Sequence, residues 1–207
     1  MHLRSLVLAL VMLLAATLAH AEMNPNPLGL PQSATHSDPA NVVELRVGTG
    51  TVGDIFGVGS GPVLSALFER RVVDALSLGL EIEHSVTKES AMDPGYGEYG
   101  YKYSHNGVAA RASYHLTDLI DDPRIDLYGG GLLGYNTFSV TAFGPSIQEP
   151  LGKTSYIMLG GFGGGRVWLT PRLGVGAEVG YRYGMFNELS LGGLSWGSAA
   201  ASIGFRF

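Results

Sequence analysis

From Val42 onward, apolar and polar side chains alternate with a period of two over eight stretches, as in strands whose successive side chains lie on opposite faces. Val43, Leu45 and Val47 alternate with Glu44, Arg46 and Gly48, predicting a first strand before a glycine-rich loop over residues 50–61. The second strand, residues 62–72, sets Leu64, Ala66 and Phe68 against Ser65 and Glu69, and turns at Val73-Asp74. The third, 76–84, sets Leu76, Leu78, Leu80 and Ile82 against Ser77, Gly79, Glu81 and Glu83. The fourth, 105–116, sets Val108, Ala110, Ala112, Tyr114 and Leu116 against Ala109, Arg111, Ser113 and His115. In the fifth, 124–135, Ile125, Leu127, Leu133 and Tyr135 oppose Asp126, Tyr128 and Asn136. The sixth, 155–169, contains the run Gly160-Gly161-Phe162-Gly163-Gly164-Gly165, which leaves its phase open because such a run accommodates a bulge. The seventh, 172–183, alternates without exception, and the last, 195–207, gathers Ala199, Ala201, Ile203, Phe205 and Phe207 on one face.

Connections are long after strands one, three, five and seven and short after two, four and six. The largest expected loops are 85–104, with Asp93-Pro94-Gly95, and 138–154, with Gly144-Pro145 and Glu149-Pro150, both poor in strand propensity. Long loops on one rim and short turns on the other fit an up-and-down barrel, and an even strand count puts both barrel ends at the short-turn rim.

Composition decides which face meets what. One face is Val, Leu, Ile, Ala and aromatic, whereas the other carries Gly, Ser and charge of both signs. A soluble sandwich would pack the apolar faces together and a membrane barrel turns them outward. Glycine reaches 31 residues and charged residues only 15%, which suits a narrow interior better than an extensive wet surface. Tyr135, Tyr181 and Tyr183 fall near the long-loop rim, and Phe68, Tyr114, Phe205 and Phe207 near the other, the positions of two interfacial girdles. The fold class expected is all-β, an eight-stranded antiparallel up-and-down transmembrane β-barrel over residues 42–207.

The first 21 residues read as a secretory signal peptide: His2 and Arg4, an apolar run over residues 6–16, and Ala19-His20-Ala21 as a small-x-small cleavage site. Residues 22–41, rich in Pro, Asn and Ser without a hydrophobic period, read as a flexible periplasmic leader. A net charge of −5 without a long basic cluster argues against nucleic acid. No cysteine is present, which excludes disulfides and thiol catalysis.

The signal peptide, the eight alternating strands, the long and short connections and the ending Ile203-Gly204-Phe205-Arg206-Phe207 together resemble the small outer-membrane barrels of the OmpA/OmpX type. The resemblance implies an outer-membrane location in a Gram-negative bacterium, contact with membrane lipid and lipopolysaccharide, and Phe205 and Phe207 as a signal for the outer-membrane assembly machinery. It further implies roles from adhesion to envelope integrity, carried by extracellular loops.

A barrel of eight strands has an interior just wide enough for side chains. Inward charges must pair there, so Arg46, Glu81, Glu83, Arg111, Asp126, Glu178 and Arg182 are expected to form a salt-bridge network that plugs the lumen. A narrow polar or proton-conducting path is the alternative. Gly152-Lys153-Thr154 lacks the earlier glycine and following helix of a phosphate loop. A lipid A deacylase site is the enzymatic alternative. Against it, Ser104-His105 and His84-Ser85 are sequence neighbours, so in each pair the side chains point to opposite faces, and a His-x-Ser-Asn signature is missing. No catalytic residue, metal ligand or cofactor is expected; Glu89, Asp93 and Glu98 lack calcium-loop spacing. Tyr96, Tyr99, Tyr101 and Tyr103 are the candidate contact residues for an extracellular ligand, since tyrosine combines apolar area with a hydrogen bond.

Overall fold

A computed structural model of the chain describes residues 41–207 except 54–59, 74, 96, 117–119, 121 and 187–193. The expected signal peptide, nearly all of the leader, and Tyr96 therefore lie outside the described residues. The strands are β1 (Asn41–Gly53), β2 (Ser60–Val73), β3 (Leu76–Asp93), β4 (Gly97–His115), β5 (Ile125–Gly144), β6 (Ile147–Trp168), β7 (Leu173–Phe186) and β8 (Leu194–Arg206). Each pairs antiparallel with the next and β8 closes on β1, with Val43 opposite Phe205 and Leu45 opposite Ile203. Asn41 and Phe207 seal the seam through backbone hydrogen bonds of 3.2 and 3.0 Å. Closure leaves no free edge in the ring, the condition for crossing a bilayer with strands.

The alternation places its apolar half outside. Leu45, Val47, Leu78, Leu133, Val179 and Ile203 are exposed, Leu45 at 67%, while Glu44 is 0% exposed and Arg46, Glu81, Arg111 and Arg166 are buried in the lumen. A contiguous apolar surface of this kind is costly in water and favourable in hydrocarbon. Tyr135, Tyr181 and Tyr183 at one rim and Tyr114, Phe205 and Phe207 at the other are exposed as well.

The expected loops are corrected, and the open phase of the sixth strand is settled. The segments 85–104 and 138–154 are not loops: β3 and β4 pair continuously from Leu76 with Tyr114 to Asp93 with Gly97, and β5 and β6 pair up to Gly144 with Ile147. The β3–β4 turn is tight. Asp93 Oδ1 accepts the Gly95 N–H at 2.7 Å, and Gly97 has φ +84°, a conformation in which glycine avoids the Cβ penalty. Secondly, the 160–165 run carries no bulge; its register is unbroken from Gly160 opposite Leu132 to Gly165 opposite Leu127. The β5–β6 irregularity falls between Val140 and Thr141, where Leu151 is the extra residue. Glycine in this run and on the facing β5 makes space for large inward rings: a Cβ on Gly164 would come within 2.9 Å of the Tyr128 hydroxyl, and one on Gly130 within 2.0 Å of the Ala112 carbonyl oxygen and 2.7 Å of the Phe162 ring.

The expected alternation of long and short connections is corrected with those hairpins: β3–β4 and β5–β6 connect through residues 94–96 and 145–146 alone, while β4–β5 takes 116–124. The barrel is lopsided. At the rim of the β1–β2, β3–β4, β5–β6 and β7–β8 connections, the wide rim, β1, β2, β7 and β8 end and β3 to β6 continue beyond as a four-stranded wall, residues 86–93, 97–104, 139–144 and 147–155.

Candidate functional site: the lumen and its wide rim

Strand parity aims charges from all eight strands at the barrel axis, and those of β1 to β7 meet in one continuous ladder. Arg182 on β7 bridges two acids of β3, contacting Glu83 and donating to Glu81 at 3.0 Å. Arg111 on β4 donates to Glu81 at 2.5 Å and reaches across the lumen to both carboxylate oxygens of Glu178 on β7, at 3.1 and 2.7 Å. Arg46 on β1 donates to Glu178 at 2.9 Å and to Glu44 at 2.8 Å. Glu44 also contacts Arg166 on β6, which donates to Glu69 at 2.5 Å and Asp126 at 3.2 Å. The short-turn end is completed by His115, with Nδ1 2.7 Å from Asp126 and Nε2 2.8 Å from the Ser77 hydroxyl.

Aromatic rings fill the space between these groups. The Arg111 guanidinium lies 3.6 Å from the Phe162 ring centre, Arg166 4.3 Å from that of Tyr128, and Arg206 3.7 Å from that of Trp168. A guanidinium stacked on a ring keeps its edge free for carboxylates, so Arg111 and Arg166 are held through face and edge together.

All seven residues expected in the network, Arg46, Glu81, Glu83, Arg111, Asp126, Glu178 and Arg182, lie on this ladder. Glu44, Glu69 and His115 belong to it too, as does Arg166, a junction between its two ends. Arg166 is legible once alternation is continued back from Trp168 through an unbroken β6. Tyr128 shares the polar face of its strand with Asp126 in the sequence pattern; the stacked Phe162 and Trp168 carry no signal of their role, because an inward aromatic on a mixed strand looks like any core residue.

At the wide rim the ladder ends in a cleft lined by Glu83, Ser85, Thr87, His105, Phe138 and Trp196 among others. His105 Nδ1 is 3.5 Å from Glu83, and its Nε2 is 3.0 Å from the Tyr156 hydroxyl. Trp196 meets His105 and Tyr156 edge to face, with ring centres 5.2 and 6.1 Å away. Register puts Ser85 opposite His105, while the imidazole nitrogens face Glu83 and Tyr156. His84 lies exposed on the outer surface, bonded to Asn106 at 2.9 Å. Tyr99, Tyr101 and Tyr103 share one face of β4 above this cleft, and Phe205 and Phe207 stack on the outer surface at the opposite rim with ring centres 6.2 Å apart.

Ring closure of eight up-and-down strands, an apolar exterior and a charged interior decide the architecture. The fold is that of a small outer-membrane β-barrel. No family model matches the sequence, and no curated protein matches it; the likeness is one of structure. Neisserial surface protein A superposes with a TM-score of 0.57 at 17% identity, covering 81% of this chain and 97% of that one. Ail, the attachment invasion locus protein of Yersinia pestis, gives 0.53 at 13% identity over 82% and 99%. OprG from Pseudomonas aeruginosa gives 0.52 at 14% over 82% and 97%. On this barrel the ladder occupies the place of a pore, and the cleft and wall stand at one mouth.

Proposed function

We propose that this chain is an outer-membrane barrel protein of a Gram-negative bacterium, non-enzymatic, with a closed lumen and a surface-interaction or envelope-integrity role exercised at the wide rim, where the β3–β6 wall stands and which faces outward from the cell. One observation carries the reading: the apolar half of every strand's alternation faces out, and the charged half is consumed inside by side-chain pairs. A lumen filled in this way supports a plug over a conduit. Two proteins of similar fold, a Neisserial surface protein and the attachment invasion locus protein of Yersinia pestis, support placing the activity at the outer rim.

In this reading residues 1–21 are removed on export and residues 22–41 lie in the periplasm with the short turns. Membrane lipid and lipopolysaccharide surround the apolar belt. The assembly machinery reads Phe205 and Phe207, whose stacked rings sit on the outer face beside the seam. Ligand contacts are assigned to the wall bearing Tyr99, Tyr101 and Tyr103. Protease treatment of intact cells tests the topology: cleavage at the β3–β4 turn is expected, and protection of that turn with cleavage at the β4–β5 turn would reverse it.

A further inference from the structure

The wall formed by β3 to β6 above the ring has two dissimilar faces. On the face continuous with the lumen, β4 presents Tyr99, Tyr101 and Tyr103 in one row, and β5 presents Phe138 at its foot. Tyr99 and Tyr101 are 49% and 46% exposed. The Tyr101 and Tyr103 rings lie 6.4 Å apart, and Tyr103 stacks on Phe138 at 5.9 Å with an interplanar angle of 20°. Half-exposed tyrosines on the lumen side of the wall are not a lipid-facing girdle. They form an open aromatic platform in water.

Charge specifies what the platform suits. Strand parity puts Glu89 of β3 on this face, and register across the Leu151 bulge adds Glu149 of β6. Lys88, Lys102 and Lys153 fall on the opposite face; Lys88 lies 5.8 Å from the ring centre of Phe143 there. Among the described residues, then, the tyrosine face of the wall has carboxylates and no lysine or arginine. Glu89 accepts a hydrogen bond from Tyr103 at 3.3 Å, so one acid is anchored against the row. Rings and carboxylates together attract cationic side chains, through the ring quadrupole and direct pairing. From Tyr99 to His105 the row runs about 20 Å at the usual strand rise. That length exceeds one small ion and accommodates an extended segment of about six residues. Tyrosines two apart also match the spacing of alternate side chains in such a segment.

We infer that this tyrosine wall is a docking surface for an extended basic peptide segment, whose lysine or arginine side chains lie over Tyr99, Tyr101 and Tyr103 and pair with Glu89 and Glu149. The inference rests on the wide rim being the outer one and names the class of ligand that rim receives.

The test uses purified full-length barrel in a non-ionic detergent, with folding checked by heat-modifiability, and a fluorescent eight-residue peptide alternating Lys and Ser. Saturable binding that weakens with salt is expected. It should fall about ten-fold in Tyr101→Ala and in Glu89→Gln and stay unchanged in Lys102→Ala on the opposite face. Equal binding of a Glu-Ser peptide, or undiminished binding by folded Tyr101→Ala and Glu89→Gln, would overturn the inference. So would binding of spermine without binding of the peptide, which would mark a small-polyamine site. A barrel that folds and localises as proposed but binds no basic peptide refutes this inference alone, whereas failure to fold as a membrane barrel refutes the broader reading.

Discussion

Arg111 on β4 and Glu178 on β7 meet across the lumen through two hydrogen bonds of 3.1 and 2.7 Å. The two strands are not neighbours in the ring, so this pair ties opposite walls together where a channel would run. Removing one partner leaves a buried charge without its counter-ion, which costs about 3–5 kcal/mol. Arg111→Ala and Glu178→Gln should each lose stability in that direction in urea titrations of the folded barrel. The double variant should cost less than the sum, with a coupling of about 0.5–3 kcal/mol. Strict additivity would show that the pair does not act as a unit.

The same ladder predicts electrical silence. Arg46, Arg111 and Arg182 pair with Glu81 and Glu178 across the lumen, and with the lumen plugged as proposed, planar-bilayer recordings should lack the large open steps of a porin. Glu81→Ala and Arg46→Ala, which thin the plug, should raise leak conductance above wild type. Large steady conductance from the wild-type barrel would contradict a filled lumen.

Outward positions carry their own prediction, because lipid penalises charge by depth. Val179, in the middle of β7, is 64% exposed, whereas Leu173 opens the strand at the short-turn rim. Val179→Arg should destabilise the barrel in lipid by about 2–4 kcal/mol and Leu173→Arg by about 0–1. Equal effects at the two depths, measured by reversible unfolding from vesicles, would argue against this placement in the bilayer.

Glycine should be tolerant or intolerant by parity. A Cβ on Gly130 would collide with the Ala112 carbonyl oxygen and the Phe162 ring, while one on Gly131 finds nothing closer than the Gly160 carbonyl oxygen at 3.6 Å. Gly130→Val should therefore abolish most folding into vesicles, and Gly131→Val should fold close to wild type. The yield of the fast-migrating folded band on unheated gels checks both.

The parts that were legible in the sequence are those where the two faces of a strand meet different surroundings. β7 alternates cleanly because Val175, Val179 and Tyr183 meet the exterior while Glu178 and Arg182 meet partners inside, and that contrast announces both strand and site. The upper halves of β3 to β6 gave no such signal. Above the ring, Lys102 and Tyr101 lie on opposite faces of the same wall but both have access to water, so no apolar period marks the strand, and Gly, Pro and Ser suggested loops. Arg166 was obscured for a different reason: glycine has no side chain to record parity, so phase could not be carried through residues 160–165 from either side.

Fractionation of cell envelopes followed by gel electrophoresis with and without heating tests the central claim most directly. The protein is expected in the outer-membrane fraction, with a compact fast-migrating form in unheated sample that slows after boiling. Recovery in the soluble periplasmic fraction, or identical mobility before and after heating, would contradict it.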